Sequence, residues 1–465
     1  MYDTIIIGAG MSGLAAGIRL AHFDRRVCIL ERHTTIGGLN SFYRLNGRDY
    51  DVGLHAVTNY MPKGTRRGPL AKLLRQLRFR WEDFSLAPQI GSTIAFPGVQ
   101  LQLGNGLELL ESEIDKHFPS QKDNFQQLLT QIADYDELEQ QPFEASARQV
   151  VSSTISDPLL VEMLLCPLMW YGNARESDMD FGQFCIMFRS IFMEGFSRPF
   201  AGVRLILKNL VRRFRELGGE LKLSRGVDRI VHDKKHVNGV VLDNGEQLPG
   251  KHILSSAGWF ETLRMCGDVV SSSTRGPGKL SFTESIAILD KQPRQLGHDR
   301  TIVFFNDSDK FRWEQPKTMC DLRTGVICSP NNYWYEDVSG KQQQLSEGVI
   351  RITALANFDA WQNLPEEQYR LEKLRWHERT VTSAVRFMPD FRRHIIDTDM
   401  FTPKTIHRFT WHDNGAVYGA PNKHLDGTTP WKNLYVCGTD QGYVGIIGSI
   451  LSGISIANRY CLQTT

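Results

Sequence analysis

Thr4-Ile5-Ile6-Ile7-Gly8-Ala9-Gly10-Met11-Ser12-Gly13 is the stretch on which the fold turns. Its first four residues make a continuous apolar run of the kind found in a strand buried on both faces. Leu14, Ile18 and Leu20 then give the following segment an apolar helical face. Between the two lies a GxGxxG turn. Gly8 permits the sharp bend, Gly10 lets the backbone approach a pyrophosphate, and Gly13 lets helix pack closely on strand, with the positive end of the helix dipole facing the phosphates. A second buried strand over 27–30 ends at Glu31, placed to accept hydrogen bonds from ribose hydroxyls. An acidic side chain there disfavours a 2′-phosphate, which leaves NAD or the adenosine half of FAD.

The chain around this motif has 465 residues, room for two or three domains or for one with a large insertion. With 41% hydrophobic and 23% charged residues it is neither disordered nor collagen-like. The 54 Lys+Arg nearly cancel the 52 Asp+Glu, so no overall field favours nucleic acid and no such partner is expected. The eight Cys show no metal-type spacing, and several sit in apolar runs such as Val27-Cys28-Ile29-Leu30. That pattern predicts buried, reduced thiols, no bound metal and a cytoplasmic location. No basic region precedes the apolar run at Thr4, and the apolar stretch 445–457 is shorter than the roughly 20 residues of a spanning helix, so neither a secretory signal nor a membrane anchor is expected.

Residues 42–50 read as a hairpin turning at Asn46-Gly47. From about 94 to 200 helical patterns dominate, including 107–118 and 123–138. Alternation of strand and helix returns over 203–256. Further strand-like runs follow at 285–289 and 349–355, with a long helix near 365–387, and the chain closes on a strand at 434–437 and a glycine-rich helix. The expected fold class is therefore α/β. Its Rossmann-type FAD-binding domain is assembled from residues 1–93, 203–278 and 401–465, with an inserted α+β substrate domain from 94–202 and 279–400.

FAD is favoured over NAD by the two ends of the chain taken together. Gly438-Thr439-Asp440, then Gly442, Gly445 and Gly448, form a second glycine-rich segment. A dinucleotide with a long ribityl chain needs a second anchor: Asp440 would bind ribityl hydroxyls, and amides of a helix starting near Gly445 and Ile446 would meet the pyrophosphate.

These residues resemble the phytoene desaturase, carotenoid isomerase and retinol saturase group of amine-oxidase-like flavoproteins. The likeness rests on the N-terminal fingerprint, the pair Gly37-Gly38, the Asp51-Val52-Gly53-Leu54-His55 turn, and 195–202 ahead of a helix. It continues in Gly218-Gly219-Glu220 with Val227, and in Thr402-Pro403-Lys404-Thr405 with Arg408, Thr410, Gly415 and Tyr418-Gly419. The resemblance implies a flavoenzyme acting on carbon–carbon bonds of a long isoprenoid or polyene by desaturation, saturation or isomerisation. It also implies that Val227 contacts adenine through its backbone. Many members place Arg after the Gly-Gly pair, whereas this chain has Leu39, and with His55 that looks closer to the saturase and isomerase branches. The expected cofactor set is Gly8, Gly10, Ser12, Gly13, Glu31, Arg32, Gly38, Leu39, Val227, Gly438, Asp440, Gly445 and Ile446. An amine or porphyrinogen oxidase, or a prenyl-binding chaperone without flavin, are the competing readings.

On the substrate side, Phe184, Phe188 and Phe192 recur at helical spacing and are expected to line a tunnel for a polyene, which is held by apolar contact; ordinary helix core is the alternative. His55 is the candidate catalytic side chain. Seven basic and no acidic residues lie between Lys63 and Arg80, beside a helical face of Leu70, Leu73, Leu74, Leu77 and Trp81. Such a helix suits peripheral contact with an anionic membrane, where the substrate would dissolve, or a core-facing helix with solvated charges.

Overall fold

The computed structural model describes the whole chain except residues 54–55, 136–144, 234, 268–275, 338 and 464–465. Among the described residues, two seven-stranded sheets carry the fold. The first runs Val227–His232, Val237–Leu242, Gln247–Ser255, Tyr2–Ile7, Val27–Leu30 and Glu220–Lys222, with Leu434–Val436 also paired to Gln247–Ser255. Tyr2–Ile7 lies parallel to both its neighbours, and Val27–Leu30 is buried at every position. This is the doubly covered, parallel arrangement that an unbroken apolar run specifies. The helix Met11–Ala21 follows the first strand, and Val203–Glu216 packs beside it through Gly17, where an added Cβ would meet Phe214.

The second sheet runs Ile395–Phe401, Ser281–Leu289, Gly348–Ala356, Cys320–Cys328, Ile302–Asn306, Ser92–Phe96 and Val99–Leu103. It is antiparallel except where Ile302–Asn306 meets Ser92–Phe96. Helices between 108 and 188 pack against it in one large apolar cluster. The hairpin Phe42–Leu45 and Arg48–Asp51 forms at Asn46-Gly47, both with positive φ (50° and 79°), as two-residue hairpin turns require. It bridges the sheets: Arg48 pairs with Glu347 (2.8 Å) and Asp397 (2.6 Å), and the Tyr43 hydroxyl donates to Asp399.

Two readings of the sequence are corrected. Phe184, Phe188 and Phe192 are core residues, each at most 1% exposed, with rings packed on one another at 5.8 and 4.9 Å. Helical spacing put them on one face, and that face is the interior of the helical layer. The leucine face of Pro69–Leu77 is likewise buried, against the helices Met11–Ala21 and Gly445–Ile456. It cannot insert into a bilayer. Only the exposed charges of Lys63, Arg66, Arg67, Lys72, Arg75, Arg78 and Arg80 remain on that surface. Among the described residues, no helix is long and apolar enough to cross a membrane, and all eight cysteines are buried free thiols.

Candidate functional site

One cavity of about 530 Å³ runs from the glycine turn of the first sheet to the face of the second. At its first end the turn is built by fit. Gly8 has φ +95°, and an added Cβ would lie 2.5 Å from Ser256 Oγ, which itself donates to the Ile7 carbonyl. A Cβ on Gly13 would lie 2.1 Å from the Gly8 carbonyl oxygen, so Gly13 serves helix packing and does not line the cavity. Gly10 differs: a Cβ there meets nothing within 4 Å, because it would project into the cavity. Gly10 also caps the Met11–Ala21 helix without a side-chain acceptor, so the first-turn amides of that helix are left to a ligand.

The helix Gly445–Ile456 brings a second N-terminus, also without a side-chain cap, to the same cavity through Gly445 and Ile446. A Cβ on Gly453 would lie 2.0 Å from the Ser12 carbonyl oxygen, so the two helices pack in direct contact, the Gly445 end lying about 12 Å further along its helix. Glu31 sits at the cavity wall, 8% exposed, its two carboxylate oxygens accepting from Ala9 N (2.9 Å) and His33 N (3.0 Å). A carboxylate has about four acceptor positions, so ribose hydroxyls can still be bound. Ser12, Arg32, Gly38, Leu39, Val227 and Gly438 line the same space. The Arg32 guanidinium donates to the Val227 carbonyl (3.1 Å) and lies 3.7 Å over the ring of Trp411, a contact that no spacing in the sequence announces.

Asp440 does not line the cavity. Its carboxylate accepts from Trp259 N and Ala420 N, each at 2.6 Å, and lies 4.0 Å from the Lys423 ammonium. This corrects the sequence reading that placed Asp440 on ribityl hydroxyls: its carboxylate is taken by backbone amides and braces the Gly438-Thr439 wall from behind. Burial pushes the Lys423 ammonium down to about 8, opposed by Asp440. His55 lies outside the described residues.

At its second end the cavity becomes an apolar chamber. Trp170 and Tyr171 close the Pro158–Gly172 helix, Phe282 and Glu284 come from Ser281–Leu289, and Val326, Thr353 and Phe401 come from three further strands. Ile406, Val417 and Tyr418 cover it from the late segment. None of these was singled out as a site residue from sequence except Tyr418, as part of the late signature. Ser281–Leu289, Cys320–Cys328 and Gly348–Ala356 are buried almost throughout, so no alternation of polarity marks the side that lines the cavity.

The fold is a Rossmann-like dinucleotide-binding architecture joined to a second sheet whose face closes the cavity. An NAD(P)-binding Rossmann-like domain family matches residues 6–77. An oxidoreductase from Methanosarcina mazei has the same fold (TM-score 0.67, 15% identity, 98% of this chain and 100% of that one), as does cyclohexylamine oxidase from Brevibacterium oxydans (TM-score 0.63, 14%, 99% and 98%). A chloroplastic prolycopene isomerase from Arabidopsis thaliana is 22% identical over 512 residues, spanning 99% of this chain and 82% of its own length. A 4,4'-diaponeurosporene oxygenase from Staphylococcus aureus (22%, 98% and 97%) and an all-trans-retinol 13,14-reductase from Danio rerio (22%, 98% and 86%) align similarly. The chain is thus similar along nearly its whole length to FAD-type oxidoreductase structures and to these carotenoid- and retinol-related proteins.

Glu261, on the cavity wall, gives the site a titratable signature. Burial raises its carboxyl above the ordinary value, opposed by His412 and by the Asp413 amide, which donates to Oε1 (2.9 Å). At low pH both the folded and the unfolded chain hold this proton. As pH rises past the ordinary carboxylate value the unfolded chain releases it while the buried group resists, so stability falls with pH. Glu261→Gln keeps an acceptor for Asp413 and removes the charge. Its melting temperature, followed in the cofactor-free protein from about pH 5 to pH 8, should gain on the wild type as pH rises. A constant difference across the range would show that Glu261 is not held this way.

Proposed function

We propose that the chain is an FAD-dependent oxidoreductase acting on carbon–carbon bonds of a long isoprenoid polyene. The observation that carries this reading is the one cavity that runs from the glycine turn to a largely apolar, aromatic chamber. Residues 1–93, 203–278 and 401–465 form the cofactor domain, and 94–202 with 279–400 the substrate domain. The adenosine ribose meets Glu31, with the Val227 backbone and Arg32 at the adenine end. The amides after Gly10 and at Gly445-Ile446 face the pyrophosphate, where two helix N-termini suit two negative charges. Gly38 and Leu39 continue the wall toward the chamber.

Bound there, FAD supplies the two-electron chemistry by which a hydride leaves or reaches an allylic carbon. The protein's own part is placement and dryness. Trp170, Phe282, Val326 and Phe401 hold an apolar chain by shape and contact area and exclude water from it. The relatives include an isomerase, an oxygenase and a reductase, so family likeness alone leaves the direction of electron flow open.

Gly10→Ala tests the cradle. Gly10 has φ −77°, so alanine is accepted by the backbone, and the fold should survive. The methyl occupies the space given to pyrophosphate, and FAD affinity should fall at least about tenfold. Anaerobic mixing of the FAD-loaded wild type with long polyenes, once with oxidised flavin and once with flavin reduced by dithionite, read by flavin absorbance and product chromatography, should show reaction in at least one state. Full flavin occupancy in Gly10→Ala would misplace the site. A wild-type protein inert to every polyene but releasing peroxide from amines would replace the proposed function.

The exposed charges between Lys63 and Arg80 support peripheral attraction to an anionic membrane that holds the substrate, by charge alone. Such attraction is screened over about 8 Å at physiological salt. Vesicle sedimentation should show binding to anionic lipid that falls as salt rises and drops in Arg75→Glu/Arg78→Glu without loss of flavin. Equal binding to neutral vesicles, or none at low salt, would contradict it.

A further inference from the structure

A second cavity, of about 380 Å³, lies directly beside the first. Three segments of chain pass between the two and give neighbouring residues to each. Ala56 lines the first and Asn59 the second; Tyr171 lines the first and Gly172 the second; Gly445 and Ile446 line the first, Val444 and Ile447 the second. At the last two segments the partition is no thicker than the backbone itself.

Gly172 ends the Pro158–Gly172 helix and puts no side chain into this partition. Met187 and Val444 fill the seam instead: an added Cβ on Gly172 would lie 2.8 Å from both Met187 Sδ and Val444 Cγ2. Methionine is unbranched, with three rotatable bonds, so Met187 can swing aside while the backbone stays in place. Beyond it, Ile186, Val444, Ile447 and Leu451 give the second cavity an apolar wall. Two polar side chains on that wall are spent on the protein. Lys423 Nζ donates to the Tyr418 carbonyl (2.6 Å), and Asn173 Nδ2 donates to the carbonyls of Arg175 (2.7 Å) and Asp178 (2.8 Å).

The first cavity, at about 530 Å³, has to take a dinucleotide as well as a substrate. One drug-sized ligand by itself fills a pocket of roughly 300–1,000 Å³. A long polyene therefore cannot lie in the chamber along its whole length, and its remaining carbons need another apolar space. We infer that the second cavity holds the far end of the polyene whose reacting bonds lie in the chamber, and that Met187, closing against Gly172 and Val444, is the gate between them and sets the chain length accepted. This rests on the polyene reading and adds to it a determinant of length. A short polyene stays in the chamber and leaves the gate closed. A long one displaces the Met187 side chain and gains the apolar contact beyond it.

The test compares a forty-carbon with a twenty-carbon polyene hydrocarbon in the FAD-loaded protein. Each is partitioned between neutral lipid vesicles and the protein, and total polyene is quantified by chromatography after the vesicles are sedimented. Gly172 lies outside the left-handed region, so alanine is accepted by its backbone. Its methyl is fixed in the seam and cannot swing aside as Met187 does. In Gly172→Ala the long polyene should bind at least about tenfold more weakly, and the short one should stay within about twofold of the wild type. Met187→Ala clears the seam, and there the preference for the long polyene over the short one should rise at least about threefold. Should either variant fail to fold, a replacement carries the same expectation: Met187→Ile, similar in volume but stiff at χ1, for the first, and Val444→Ala for the second. Equal weakening of both polyenes, a long polyene unaffected by the closing variant, or no gain in the opening variant would each overturn the inference and leave the polyene reading standing. If the wild type binds neither polyene, both fall.

Discussion

The close approach of two helices governs the site. Gly453 of the C-terminal helix lies against the Ser12 carbonyl of the N-terminal helix, with no room for a side chain between them. Two segments at opposite ends of the chain are thereby held with their N-termini at one cleft. Each terminus lacks a side-chain cap. Both termini line the same cavity, so partial positive charge from each faces the space a ligand would occupy. The glycines at 8, 13 and 453 are required by contacts within the protein, whereas Gly10 is required by the space in front of it.

The second requirement is that the chamber keep a fixed relation to this cleft. Buried charge supplies much of that. Arg198 pairs with Asp51 at 2.8 Å, and Arg351 reaches both Glu284 and the Val52 carbonyl (2.7 Å), so the end of the 42–51 hairpin is held by the second sheet and by the Ser197–Pro199 strand. Buried pairs of this kind add little net stability over apolar packing, but breaking one leaves an uncompensated charge, which makes misregistered arrangements costly. The geometry of the hairpin follows from Asn46-Gly47, and its position follows from the ion pairs.

The legible part of the sequence was the part whose structure is local. The run 4–13, the hairpin and the long helix Glu366–Ala384 are set by periodicity and turn chemistry within a few residues of themselves. The cradle was legible for the same reason, since glycine spacing and Glu31 act through one turn. The chamber was not. Phe282, Val326, Thr353 and Phe401 come together only through the strand order of the second sheet, and residues buried on both sides carry no mark of which side meets a ligand. The phenylalanine stripe at 184, 188 and 192 shows the converse: a strong local pattern whose face belongs to the core. Asp440 was visible as an important acid, but its partners, Trp259 and Ala420, are distant in sequence from each other, so its bracing role needed the fold.

The central claim is that one cavity serves cofactor and substrate together, and a crystal structure of the protein loaded with FAD and a long polyene tests it most directly. The account predicts a dinucleotide extending from Glu31 past Gly10 to Gly445, with the polyene lying between Trp170 and Phe282 in the same continuous space. A polyene bound elsewhere on the molecule, or a dinucleotide that leaves the Gly10 and Gly445 helix ends untouched, would contradict it.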